Sequence, residues 1–188
     1  MNKQQSQDIR GGRVLLAYFS RAGVNYYHGG RRRLDVGNTE VLIRIISNAI
    51  VCDVHRIDAA DPYPDDYDET VARNVREQQS AARPAVANPL DTIDGYDTII
   101  LASGIWNSRA PMIMTTFTEG FDFTGKMVLP VTTHAMSGLG TAPCDYASSC
   151  RGATVGEGLA VRGEEVDDAE PAVVEWLQSV GLGRHRGR

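Results

Sequence analysis

Three stretches of this chain are apolar almost throughout: RVLLAYFS (Arg13–Ser20), TIILASG (Thr98–Gly104) and MVLPVTT, within Lys126–Thr133. A strand with one wet face alternates apolar and polar residues, whereas a strand apolar on both sides must be covered on both. A parallel sheet with helices on each face meets that condition. Segments of helical period fall between the strands, at Asn38–Ile50, Tyr67–Ala82, Pro111–Glu119, Thr141–Cys150 and Ala169–Val180. Further strands are read at Cys52–Asp58 and Ala153–Val161. The alternation predicts an α/β fold, a doubly wound five-stranded parallel sheet with helices on both faces.

A length of 188 residues, 42% of them hydrophobic, supplies one good core and little more, so a single domain over residues 13–182 is expected. The polar ends, residues 1–12 and 183–188, read as mobile tails. A net charge of -5 argues against nucleic acid, which is normally met by a positive face. Cys52, Cys144 and Cys150 match no zinc spacing, and free thiols in a reducing cytoplasm are the simplest reading, although Cys144 and Cys150 could pair if the backbone allowed it. With no leader pattern and no run of about 18 apolar residues, a soluble cytoplasmic protein without membrane association is expected.

In doubly wound sheets, ligands sit beyond the carboxyl ends of the strands where strand order reverses. Three such ends carry polar, glycine-bearing or aromatic segments: Ser20-Arg21-Ala22-Gly23, the stretch from Ser103 to Pro111, and Thr133 to Gly140. The first resumes at Gly37-Asn38-Thr39-Glu40 as a helix begins, where unpaired N–H groups and the positive dipole end favour an anion; Asn38 or Thr39 could equally serve only as a cap. Trp106 either fills core or stands as a flat stacking surface. The glycines of the last loop serve a turn or a ligand equally well. His134 has no aspartate placed for it by spacing. These loops converge if the strand order is 2-1-3-4-5.

Other chemistries lack their residues. No Gly-Lys-Ser/Thr triplet precedes a helix, no G-x-G-x-x-G follows the first strand, and Ser137 is not in a G-x-S-x-G elbow.

Taken together, FSRAG with GNTE, then SGIWNSRAPM, then FTEGFDFTGKMVLPVTTHAMSGLG resemble the flavodoxin family, in the branch whose loops carry Ile-Trp and Thr-His-x-x-Ser-Gly. The resemblance implies a flavodoxin-like sheet of order 2-1-3-4-5, noncovalent FMN and electron transfer. By position, Ser20, Ala22, Asn38 and Thr39 would surround the FMN phosphate. Gly104, Ile105, Trp106 and Asn107 would line the flavin ring, and Thr133, His134, Ser137 and Gly138 would hold its pyrimidine side. No separate catalytic acid, base or nucleophile is implied. An NAD(P)H-dependent FMN or quinone reductase is the alternative enzyme, and a binding module without redox activity is the alternative from another class.

The chain departs from the family at residues 24–36, VNYYHGGRRRLDV, wedged into what would be a compact phosphate loop. Closure cost grows only slowly with loop length, so the insertion is tolerable if its ends stay adjacent. The segment is expected to fold over the cofactor edge, with Tyr26 and Tyr27 supplying aromatic area and Arg31, Arg32 and Arg33 offering contact to an anionic partner, a redox protein or a nicotinamide donor.

Overall fold

The computed structural model describes residues 12–183. In chain order these form β1 (Val14–Tyr18), β2 (Gly23–Tyr27), β3 (Gly30–Leu34), α1 (Asn38–Ala49), β4 (Asp53–Arg56), α2 (Tyr67–Gln79) and β5 (Thr98–Gly104). Then come α3 (Met112–Glu119), β6 (Met127–His134), α4 (Ala142–Ser149), β7 (Thr154–Val155), β8 (Leu159–Arg162), a 3-10 turn (Gly163–Asp168) and α5 (Glu170–Ser179). The polar tails expected over 1–12 and 183–188 lie, apart from Gly12 and Gly183, outside the described residues.

The main sheet is parallel in the order β4-β1-β5-β6, with β7 and β8 both paired to β6. This is the expected 2-1-3-4-5 arrangement, renumbered because the insertion contributes two strands of its own. Period-two alternation divides the core between the faces. Leu16, Tyr18, Ile100 and Val131 pack against Leu42 and Ile46 of α1 and Val173, Trp176 and Leu177 of α5. Leu15, Ala17, Ile99 and Leu101 pack against Ile113, Met114 and Phe117 of α3 and Ala142 and Tyr146 of α4.

The expected fifth strand, Ala153–Val161, is broken, and Pro130 supplies a reason. Residue Val128 accepts the Gly156 N–H at 2.9 Å, so even-numbered positions of β6 face the fifth strand. Pro130 is therefore the residue that should donate there, and it has no N–H. The partner strand stops pairing after Val128 and resumes at Val131, while the β5 ladder runs past Pro130 without interruption. Part of the gap is stitched from outside the sheet, where Trp176 Nε1 donates to Glu157 O at 3.0 Å.

Residues 24–36 are an ordered antiparallel hairpin, pairing Gly23 with Leu34 and Tyr27 with Gly30. His28 and Gly29 turn it with φ of 46° and 81°, the two left-handed residues that a type I′ turn requires. The three arginines expected to face an anionic partner are largely engaged by the protein itself. Arg31 makes a two-pronged contact with Asp68 at 2.6 Å, Arg33 meets Asp65 at 2.7 Å, and Arg32 lies 4.9 Å over the Tyr27 ring. Asp65 and Asp68 flank the start of α2, where acidic residues suit the helix dipole, and the hairpin's arginines find them there.

All three cysteines are free thiols, with Cys144 exposed and Cys150 buried. No helix among the described residues is long and apolar enough to cross a membrane.

Candidate functional site

The insertion leaves the helix terminus intact because its two ends meet. Gly37 lies so close to Ser20 and Arg21 that a Cβ there would stand 2.5 Å from the Arg21 carbonyl oxygen. No side chain of the capping residue serves α1; instead Ser20 Oγ, arriving from β1, accepts the Glu40 N–H at 3.1 Å. The first-turn N–H groups of Asn38 and Thr39 lie beyond the reach of any intrahelical carbonyl. Thr39 Oγ1 and Thr133 Oγ1, both buried, lie 2.8 Å apart and join the ends of two loops.

Arg21 stands between Ser20 and this helix start. Its Nη1 donates to Pro64 O at 3.0 Å and Asp65 O at 3.2 Å, and Nη2 donates to Val24 O, tying the hairpin root to the segment before α2. Its Nε is buried without a partner. Burial lowers its pKa against the opposing pull of Asp65, Tyr67 and Asp66, but guanidinium stays charged. A half-buried cation bonded only to carbonyls, next to a helix N-terminus, attracts an anion.

The loop after β5 makes the wall opposite. Asn107 and Ser108 have φ of 51° and 69°, and Trp106 exchanges backbone hydrogen bonds with Arg109 at 2.8 and 3.3 Å across this tight turn. Gln78 of α2 pins it, donating to Trp106 O at 2.9 Å and accepting from Asn107 Nδ2 at 2.8 Å. The Trp106 ring meets Phe19 and Tyr63 edge-on at 5.6 and 5.1 Å. Both readings of this residue therefore meet in one side chain, half packed in an aromatic cluster and half facing the cleft. Behind it, Tyr63 donates to Glu77 Oε2 at 2.7 Å beneath the Arg73 guanidinium; burial first, and then this carboxylate, push its pKa far above the ordinary phenol value.

At the end of β6, His134 is half-buried with Nδ1 unpartnered, and burial, reinforced by the Arg162 charge, lowers its pKa. Ser137 and Gly138 belong to the loop's own turn, in which Gly138 O accepts from Thr132 Oγ1 at 3.0 Å.

One cleft results. Of the expected residues, Ser20, Asn38, Thr39, Gly104, Ile105, Trp106, Thr133 and His134 line it, while Ala22, Asn107, Ser137 and Gly138 do not. Tyr26, of the segment expected to fold over the cofactor edge, also lines it, and residues the sequence reading missed include Arg21, Asn25 of β2, Tyr67 of α2, and Glu164. Arg21 was within reach of inspection, a cation inside the turn it serves, and Glu164 follows the carboxyl end of β8, where ligands are expected. Nothing local marks Tyr67, in the first turn of α2. Among the described residues no group of acidic, histidine or cysteine side chains could hold a metal ion.

Comparison with known proteins agrees with this architecture. Two structures of candidate flavoproteins are similar to the chain: one from Bacteroides uniformis, with 27% identity, TM-score 0.70 and coverage of 90% of this chain and 99% of that one. The other, from Bacteroides eggerthii, has 25% identity, TM-score 0.73 and coverage of 91% and 99%. A flavoprotein from Lactobacillus acidophilus in complex with FMN shares the fold at 18% identity, TM-score 0.57 and coverage of 84% and 97%. No curated protein matches the sequence. The family model for Flavodoxin matches residues 13–180, from the residue before β1 to the residue after α5, and the chain belongs to the flavodoxin family.

Proposed function

We propose that this flavodoxin binds FMN noncovalently in the cleft and carries electrons between redox partners. The observation that carries the proposal is the convergence at one cleft of a helix terminus that keeps the Asn38 and Thr39 N–H groups free of its own carbonyls with a half-buried cation, an aromatic wall and a run of polar groups. Each suits one part of a flavin mononucleotide. The first turn of α1, Ser20 and the free Nε of Arg21 suit the phosphate. Trp106 and Ile105 suit a flat ring, and Gly104 lets backbone approach it closely. His134 Nδ1, a buried polar atom without a partner at the end of β6, would suit the polar edge of the ring. Bound FMN would supply the electron chemistry, and the chain's task is to seat it, shield it and set its surroundings. The unpaired thiols suit a cytoplasmic location.

Titration of the purified protein with FMN tests this. Saturation at one FMN per chain, with quenched flavin fluorescence and a shifted visible spectrum, is expected; an unchanged flavin spectrum at saturating protein would refute it. Steady NADPH oxidation by the loaded protein would instead favour the reductase reading, and a protein that takes up no flavin would favour a binding module.

A further inference from the structure

A buried carboxylate stands at the edge of the cleft with half of its hydrogen-bonding capacity unused. The Glu164 side chain is only 1% exposed, and it lines the cleft together with Asn38, Thr39 and His134. Its Oε1 accepts the backbone N–H of His28, at the hairpin tip, at 3.0 Å. Its Oε2 has no hydrogen-bond partner, and Arg162 Nε, 3.9 Å away, is beyond hydrogen-bond reach. Burial pushes the carboxyl upward. The N–H groups of His28 and of Glu164 itself and the charges of Arg162 and His28 outweigh that push and hold it below the usual range, so it is ionised. A carboxylate oxygen withdrawn from water without a donor is costly, and an incoming donor would relieve that cost.

The position decides what that donor is. Glu164 lies between the anion-attracting start of α1 and the end of β6, and the 3-10 turn that carries it presses on α1, with Gly163 against the Asn38 amide. A second anion cannot sit against an ionised carboxylate. The donors that a flavin brings are the N3–H on the edge of its ring and the aliphatic hydroxyls of its polyol chain, and a group between the anion end and the far end of the cleft is placed for the chain.

Resting on the FMN reading above, we propose that Glu164 is a ligand-binding residue whose Oε2 accepts a hydrogen bond from a hydroxyl of the polyol chain joining phosphate to ring, while Oε1 holds the hairpin tip. The site then selects flavins by their linker as well as by phosphate and ring.

Three probes separate these features: FMN, riboflavin (polyol but no phosphate) and lumiflavin (neither), each titrated against the wild type, Glu164→Gln and Glu164→Ala by flavin fluorescence. Loss of a hydrogen bond to a charged group predicts that Glu164→Ala weakens FMN and riboflavin by roughly 10-fold or more. Glu164→Gln, which keeps an acceptor for the His28 N–H and so the hairpin contact, is expected to weaken both by a smaller factor. Lumiflavin affinity stays unchanged in both. Equal weakening of all three ligands would make Glu164 a partner of the ring or a mere hairpin latch, and unchanged FMN and riboflavin affinities would remove it from the site; either result overturns the proposal. If Glu164→Ala fails to fold, the Gln variant decides by the same comparison. A wild type that binds none of the flavins refutes the FMN reading itself and this inference with it, whereas wild-type binding with indifferent variants refutes the inference alone.

Discussion

Ser20 and Arg21 are adjacent and do different work. Ser20 supplies the cap that α1 does not carry in its own sequence, and Arg21 supplies charge while lacing the hairpin root to the segment before α2. Arg21→Gln keeps some hydrogen bonding and removes the cation. It should weaken FMN by about 1.5–3 kcal/mol, that of a charge-assisted contact, and leave riboflavin affinity almost unchanged. Parallel titrations check this, and equal losses for both ligands would show that Arg21 acts only through the hairpin. Trp106→Ala should weaken all flavins by about 1–2 kcal/mol and lower stability by a similar amount, because the ring is shared between the cleft and the Phe19–Tyr63 cluster. A melt recorded beside each titration separates the two effects.

At the scale of elements, the strands and helices of the main sheet were legible because burial imposes a period, and all were placed to within a few residues. The broken fifth strand and the hairpin were not. The break follows from Pro130 acting across a ladder, a partnership that no window along the sequence contains. The hairpin follows from a His-Gly turn in place of the commoner Asn-Gly signal, and from arginines whose partners stand 32 and 37 residues away. Where the candidate site lies followed from the strand ends and the start of α1; which residues line it was implied by the family resemblance, and Ala22, Asn107, Ser137 and Gly138 stand outside the cleft. Tyr67, on a helix that carries no mark of the site, was not legible. Joining Gly23 directly to Gly37 should leave the sheet folded, since the ion pairs lost are exposed and worth about 0–1 kcal/mol each. The shortened protein is expected to keep binding FMN and to release it faster, as followed by stopped-flow fluorescence. Gly37→Ala should be worse than the deletion for the site, costing about 1–3 kcal/mol of stability through forced overlap with Ser20 and Arg21. Urea unfolding measures that cost, and an unaltered midpoint would mean that the loop ends are not in contact.

For the molecule as a whole, stability should respond to pH in two windows. Burial holds His55 and His134 below their ordinary value of 6.5, with Asp58 opposing at His55 and Arg162 reinforcing at His134. Each takes up its proton more readily when unfolded. Their contribution is therefore complete above about pH 6.5 and is lost as pH falls through the depressed folded values. Asp53, Asp68 and Glu119 are held low by Arg13, Arg31 and Arg83, so their contribution, small because they are exposed, persists until the pH drops below about 4. Urea midpoints from pH 8 to 5 should decline in the wild type and flatten when both histidines are replaced by Gln; an equal slope would assign the decline to other groups. The closed root of the hairpin has one further consequence. With Gly37 fixed against Ser20, the chain enters α1 at the same place whatever the length of the segment between them. What that length does touch lies further out, in the segment's own holds on Asp65, Asp68 and Glu164, so a change of length would be felt at the cleft wall before it is felt at the helix start.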